Sequence, residues 1–185
     1  LGYHTVNWNL GCPYPMVANK QRGSGMLPHT DRIQTFLDRI IPELHGSLSI
    51  KMRLGWKDTA DIFRLLPVID AYPLSEIIIH PRTGLQRYEG RVALDDFEAC
   101  LSMTHHPVVY NGDIRTVDDF RQLFQRFDGV YAWMIGRGCL ADPFLPGCIA
   151  TGADDIPDKI YRMRQFHAAL FEAYSRVLNG PSHVM

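Results

Sequence analysis

The chain has 185 residues, 46% of them hydrophobic and 21% charged, a composition that belongs to a folded domain and excludes a disordered one. Nineteen Lys and Arg against twenty Asp and Glu leave a net charge of −1, which excludes a polybasic chain whose partner is set by charge alone. No apolar run approaches the roughly 18 residues of a membrane span.

Four cysteines, Cys12, Cys100, Cys139 and Cys148, show neither CxxC nor metal-ligand spacing. Nothing resembles a secretion signal, so reduced thiols in a cytosol are expected. The chain opens on Leu1 rather than Met, which reads as a natural N-terminus lying elsewhere.

Along the chain, short β-rich runs alternate with amphipathic stretches. The predicted strands are Tyr3 to Trp8, Leu48 to Arg53, Glu76 to His80, Pro107 to Tyr110 and Gly129 to Ile135. The predicted helices between them are Asp31 to Leu44, Thr59 to Ala71, Leu94 to Met103 and Thr116 to Phe127. In the first helix Ile33, Phe36, Leu37, Ile40, Ile41 and Leu44 recur at steps of three and four and make one apolar face. Thr30 or Asp31 is expected to cap its start, and Thr116, followed by Asp118 and Asp119, to cap the last.

Strand–helix–strand repetition calls for parallel strands joined by right-handed crossovers. Runs such as Ile77-Ile78-Ile79 and Val108-Val109 suit parallel strands covered on both faces. An open doubly wound sheet and a (β/α)8 barrel both fit. Five strand units favour a cut barrel, since a whole one needs eight strands and about 250 residues.

After Leu140 the rhythm stops. Residues 141–147 and 152–157 read as turns and a linker. Asp158 to Leu178 reads as one long helix, stopped by Gly180-Pro181. Such a helix needs a partner surface, and the expected organisation is a catalytic domain over 1–150 and the start of a C-terminal helical domain over 151–185.

The chemistry-bearing residues fall at the C-terminal ends of the predicted strands, the functional edge of parallel α/β folds. They are Asn9-Leu10-Gly11-Cys12-Pro13, Lys51-Met52-Arg53, His80-Pro81-Arg82-Thr83, Asn111-Gly112-Asp113-Ile114 and Gly136-Arg137-Gly138. Singly, each has a plain structural reading: a turn dipeptide, a surface lysine, a hydrogen-bonded histidine. Together they deliver a polar or glycine-rich group to one rim from five successive strands.

Gly136 and Gly138 around Arg137 suit a phosphate, met by backbone N–H groups and a guanidinium fork. Gly112 permits the same close approach. Lys51 and His80 are placed to meet a polar ring carried by that phosphate, with Cys12 reaching over it. A phosphate wall, a cation under a ring and a thiol across it describe a flavin mononucleotide (FMN) site with a proton donor. The other histidines show no metal spacing and are expected to be structural, and no metal is expected.

These five ordered motifs, spread over residues 7 to 140, resemble those of the tRNA-dihydrouridine synthases. Val17, Gly23-Ser24-Gly25-Met26-Leu27 and Tyr88-Glu89-Gly90 extend the likeness, while Pro81 departs from the usual Gly after the histidine. The resemblance implies a TIM-type (β/α)8 barrel, here truncated to strands 4–8 and followed by the start of a helical tRNA-binding domain. It implies a cytoplasmic enzyme in which NADPH reduces FMN, hydride passes to C6 of a tRNA uridine, and Cys12 protonates C5. Lys51 then lies near flavin N1 and O2, and His80 contacts flavin or uracil. Asn111, Gly112, Asp113, Gly136 and Arg137 line the phosphate pocket. Asn9 holds the uracil edge, and Arg82 contacts flavin or RNA. Two alternatives stay open: another FMN barrel oxidoreductase of the dihydroorotate dehydrogenase kind, and a non-catalytic RNA-binding barrel.

Overall fold

The structure, a computed structural model, describes residues 2–177. Strands β1 (Thr5–Leu10), β2 (Ser47–Gly55), β3 (Leu74–Thr83), β4 (Val108–Tyr110) and β5 (Ala132–Trp133) form one sheet in that order. Every neighbouring pair is parallel. An unbroken sequential order has no reversal point of the kind that defines a doubly wound sheet. The molecule is therefore α/β and builds a five-strand part of a (β/α)8-type barrel.

The helices follow the strands. Helix α1 (Pro15–Ala18) and a 3-10 turn (Gly23–Met26) lie in the first βα loop. The crossovers are α2 (Thr30–Ile40), α3 (Ala60–Ile69), α4 (Leu94–Met103) and α5 (Val117–Arg126). Their apolar stripes bury Ile33, Leu37, Ile62, Leu65, Leu66, Ile69, Phe97, Cys100 and Leu123. Against these pack Leu48, Ile50, Met52, Leu54, Ile77, Ile79, Val108 and Tyr110 from one face of the sheet. Each fully buried aliphatic side chain is worth about 1.5–3 kcal/mol of transfer free energy.

The opposite face of the first two strands is polar. There Thr5 meets Ser47, Asn7 donates to Ser49 at 2.7 Å, and Asn9 stands beside Lys51. Apolar residues on both faces were expected. The strands are apolar throughout only toward β3 and β4, where Ile78 and Val109 share that second face.

Local chemistry explains the boundary shifts. Helix α2 stops at Ile40 and tightens into a 3-10 turn over Ile41–Glu43, because Pro42 has no N–H to donate. Its N-cap is His29 with no side-chain cap, so neither Thr30 nor Asp31 plays that part. Thr116 does cap α5: its hydroxyl accepts from Asp119 N at 3.0 Å while the Asp119 carboxylate accepts from Thr116 N at 2.9 Å. Strand β3 runs past His80 to Thr83. Pro81 is tolerated there because the β2–β3 register slips between Arg53 and Gly55.

The expected turns over 141–147 are in part helical. After α6 (Arg137–Ala141) comes α7 (Leu145–Thr151). Pro146 sits in its first turn, where no N–H is needed, and Gly152 ends it at φ +72°. Helix α8 (Lys159–Ser175) follows, with Lys159 Nζ held by Asp142 at 2.6 Å. Its apolar residues Ile160, Phe166, Leu170 and Tyr174 are exposed. The stop expected at Gly180-Pro181, like His183, lies outside the described residues. No helix among the described residues is long and apolar enough to cross a membrane.

Candidate functional site

The C-terminal ends of the five strands surround a cavity of about 280 Å³. From the β1 loop come Asn9, Gly11, Cys12, Pro13 and Tyr14, from β2 Lys51 and Arg53, and from β3 His80. Tyr88 reaches in from the loop after β3. The segment after β4 adds Asn111, Gly112 and Asp113, and the turn after β5 adds Gly136 and Arg137. The rim residues singled out by sequence thus meet in one place, with Arg82 the exception.

The thiol is carried on a braced loop. Gly11 N–H donates to Asn9 Oδ1 at 2.9 Å, closing a tight turn. The Cys12 carbonyl accepts from Ser24 N at 3.0 Å and from Ser24 Oγ at 2.9 Å. Gly23 makes this possible: its φ is +54°, and a Cβ there would stand 2.7 Å from the Cys12 carbonyl oxygen. Half-buried, Cys12 faces the cavity.

Arg53 is the brace beneath. It is 2% exposed, and its Nε donates to Gly11 O at 3.0 Å. Its Nη1 donates to Thr83 O at 2.9 Å and Arg87 O at 2.6 Å. One guanidinium therefore ties the Cys12 loop to the end of β3 and the turn behind it, a task for a planar five-donor fork. The Tyr88 ring lies between two cations, 5.3 Å from Arg53 and 4.5 Å from Arg137. Arg53 and Tyr88 were not singled out as site residues. Arg53 stood inside the Lys-x-Arg motif and Tyr88 inside Tyr88-Glu89-Gly90, so the motifs held them. Their convergence is tertiary.

Lys51 and His80 sit in a positive field. Burial, and then the charge of Arg53, push the Lys51 ammonium down to about 8. Among the described residues its Nζ has no hydrogen-bond or ion-pair partner. Burial, then Arg53, Lys51 and Arg82, push His80 down to about 3, so it is neutral at physiological pH.

Arg82 is 2% exposed and turned away from the cavity lining. It donates to Glu89 O, Gly90 O and Asp113 Oδ2, the last at 2.5 Å, and stands 3.3 Å from His80 Nε2. Asp113 also accepts from Arg137 Nη2. Burial raises the Asp113 carboxyl, but the Arg82 hydrogen bond and the charges of Arg82, Arg137 and Arg115 outweigh it and hold it below its ordinary value. Asp113 is thus the fixed point that aims Arg137, and a carboxylate so placed would repel a phosphate rather than bind one.

Backbone supplies the last wall. A Cβ on Gly112 would stand 2.1 Å from Tyr110 Oη, whereas one on Gly136 would meet nothing within 4 Å. Asn111 Nδ2 donates to Met134 O at 2.9 Å and pins the β4 and β5 ends together. An anionic ligand fits this donor set: the half-buried Lys51, with Arg53 beside it and Arg137 from the turn after β5, outnumbers the single carboxylate of Asp113.

The family described as dihydrouridine synthase (Dus) matches residues 1–183. A probable tRNA-dihydrouridine synthase of Rhizobium leguminosarum bv. phaseoli is 31% identical over 173 residues, covering 88% of this chain and 53% of that protein. A tRNA-dihydrouridine synthase B of Pasteurella multocida is 28% identical over 145 residues, 78% of this chain and 43% of that protein. The Shewanella oneidensis protein of the same name is 27% identical over 169 residues, 89% and 52% respectively. The chain spans about half the length of these curated relatives. The match spans the whole strand–helix series, and the chain belongs to the dihydrouridine synthase family.

Proposed function

We propose that the protein of which this chain is part reduces uridine to 5,6-dihydrouridine in tRNA, using FMN as cofactor and NADPH as reductant, in the cytoplasm. The observation that carries the reading is that Cys12 and Lys51, from the neighbouring strands β1 and β2, line one cation-rich cavity. In this reading residues 1–150 are the catalytic barrel segment and residues 151–185 the start of a C-terminal helical domain.

Lys51, Arg53, Asn111, Gly112, Gly136 and Arg137 suit the cofactor, with Asp113 orienting Arg137. FMN, when bound, supplies hydride chemistry. Lys51 contributes an ammonium where negative charge gathers on an electron-accepting ring, and its half-buried position strengthens that attraction. His80, held neutral, offers a hydrogen bond without adding charge. Cys12 gives its proton to C5 of the uracil ring as general acid, and the Arg53 guanidinium beneath holds the loop that carries it. Solvent then restores the thiol proton. Asn9 keeps Oδ1 in the loop turn, leaving its amide N–H groups for a uracil carbonyl. Arg82 acts through Asp113 rather than by touching RNA. A base reaches this cavity only after leaving its stack.

The test is dihydrouridine formation on tRNA lacking the modification, with the complete protein, alongside its flavin absorbance. Cys12→Ala is expected to keep the flavin spectrum and lose dihydrouridine formation at least a hundredfold, in line with a lost proton donor. Full activity of that variant refutes the role of Cys12. A complete protein that takes up no flavin and modifies no tRNA refutes the reading as a whole.

A further inference from the structure

At the opposite end of the sheet, where β3 and β4 begin, a second group of polar side chains converges. Asp70 follows the last turn of α3, and His105 and His106 lie in the turn between α4 and β4. His105 Nδ1 stands 3.3 Å from Asp70 Oδ2, and His106 Nε2 stands 3.6 Å from Asp70 Oδ1. All three donor atoms fall within 4.8 Å of one another. Two ligands ~2.1 Å from a zinc ion and tetrahedrally disposed stand roughly 3.4 Å apart, so the spacing fits.

Three further observations point to a built site. The His106 side chain is only 4% exposed, yet its Nε2 is aimed into the cluster, where its other contact is Ile69 O at 3.3 Å. That is a long, weak hydrogen bond for a buried ring nitrogen. Asp70 is oriented from behind: Thr104 Oγ1 donates to Oδ1 at 2.5 Å, and His105 N–H approaches Oδ2 at 3.4 Å. Carboxylate ligands are commonly held this way by an outer hydrogen bond. Finally, the two imidazole rings lie 4.3 Å apart, which keeps both within reach of one ion.

We infer that Asp70, His105 and His106 form a zinc site. Two imidazoles and one carboxylate are borderline donors that suit Zn²⁺ and leave a fourth position for water on the exposed His105 side. His106 binds as its Nδ1–H tautomer, exchanging the Ile69 contact for the metal. The ion joins the end of α3 to the turn before β4, so its effect is on stability, far along the strands from the Cys12 cavity. Residues 35 and 36 positions apart supply the ligands, which is why local spacing does not show them.

Zinc chloride titrated calorimetrically into the chelator-treated full chain is expected to show one ion per chain and to raise the thermal midpoint. His105→Ala, at a position 67% exposed, is expected to leave the far-ultraviolet spectrum unchanged and to lose zinc affinity by well over tenfold. Thr104→Val is expected to weaken it about tenfold by freeing the carboxylate. The inference is overturned by absence of zinc binding, or by binding that survives His105→Ala. Zinc held by the Cys12 thiol would behave in that second way and would fall with Cys12→Ser.

Discussion

Replacing Arg53 with Met tests whether a single buried guanidinium holds the candidate site together. Three hydrogen bonds are lost, to Gly11 O, Thr83 O and Arg87 O. A hydrogen bond to a charged group is worth about 1.5–3 kcal/mol, and a buried carbonyl left unpaired costs about 1–3 kcal/mol. Arg87 is exposed, so water can take over its carbonyl, whereas Gly11 and Thr83 are buried. Against this, removing a buried charge relieves its desolvation, and Met fills much of the volume. The balance is a destabilisation of about 3 kcal/mol, a large part of the roughly 5–15 kcal/mol by which domains are stable. Urea unfolding followed by circular dichroism reads it as a lowered midpoint. The variant has a second signature that lost packing does not give. Arg53 is the second cause of the low Lys51 value, after burial, so the Lys51 ammonium should climb from about 8 toward its ordinary 10.5. Titration of isotopically labelled lysine by NMR measures this. A midpoint change worth under about 1 kcal/mol, with Lys51 unmoved, refutes the brace.

Three further outcomes follow from the same geometry. Lys51→Met should stabilise the chain at neutral pH by about 1–3 kcal/mol, since a desolvated cation is removed. The folded value of about 8 lies below the ordinary 10.5, so the parent gains stability as pH rises between them, and its gap to the variant should close there; a pH-independent gap contradicts this. His80 is pushed down to about 3, so the unfolded chain takes its proton first as pH falls below 6.5; His80→Gln should flatten the loss of stability between pH 6.5 and 3, and identical acid unfolding curves would count against it. Gly112→Ala puts a Cβ 2.1 Å from Tyr110 Oη, on a ring fixed by Phe97 at 4.9 Å and Trp133 at 5.4 Å, and should cost about 1–3 kcal/mol in thermal unfolding; an unchanged midpoint shows that the ring can move.

The alternation of strand and helix was legible in the sequence because it is local. Apolar residues at steps of three and four bury one side of a helix whatever lies beyond it, and Ile33 and Leu37 do so here. The order of the rim motifs followed from the same alternation, since parallel strands deliver their C-terminal ends to one edge. The family likeness of Asn9 to Pro13, Lys51 to Gly55 and His80 to Thr83 was legible as well. Where local signals conflicted, the reading failed. Pro146 and Gly147 read as a turn, but a proline in the first turn costs a helix nothing, and Leu145 and Cys148 bury against Val117. What only the tertiary structure decided is which charges meet. Arg82 and Arg53 read alike on paper, as strand-end cations. Folding lays one across three carbonyls beneath Cys12 and turns the other onto Asp113, which in turn aims Arg137. The contacts of Arg53 with those carbonyls and of Arg82 and Arg137 with Asp113 span 24 to 42 residues, and no local periodicity encodes a distance across the sheet.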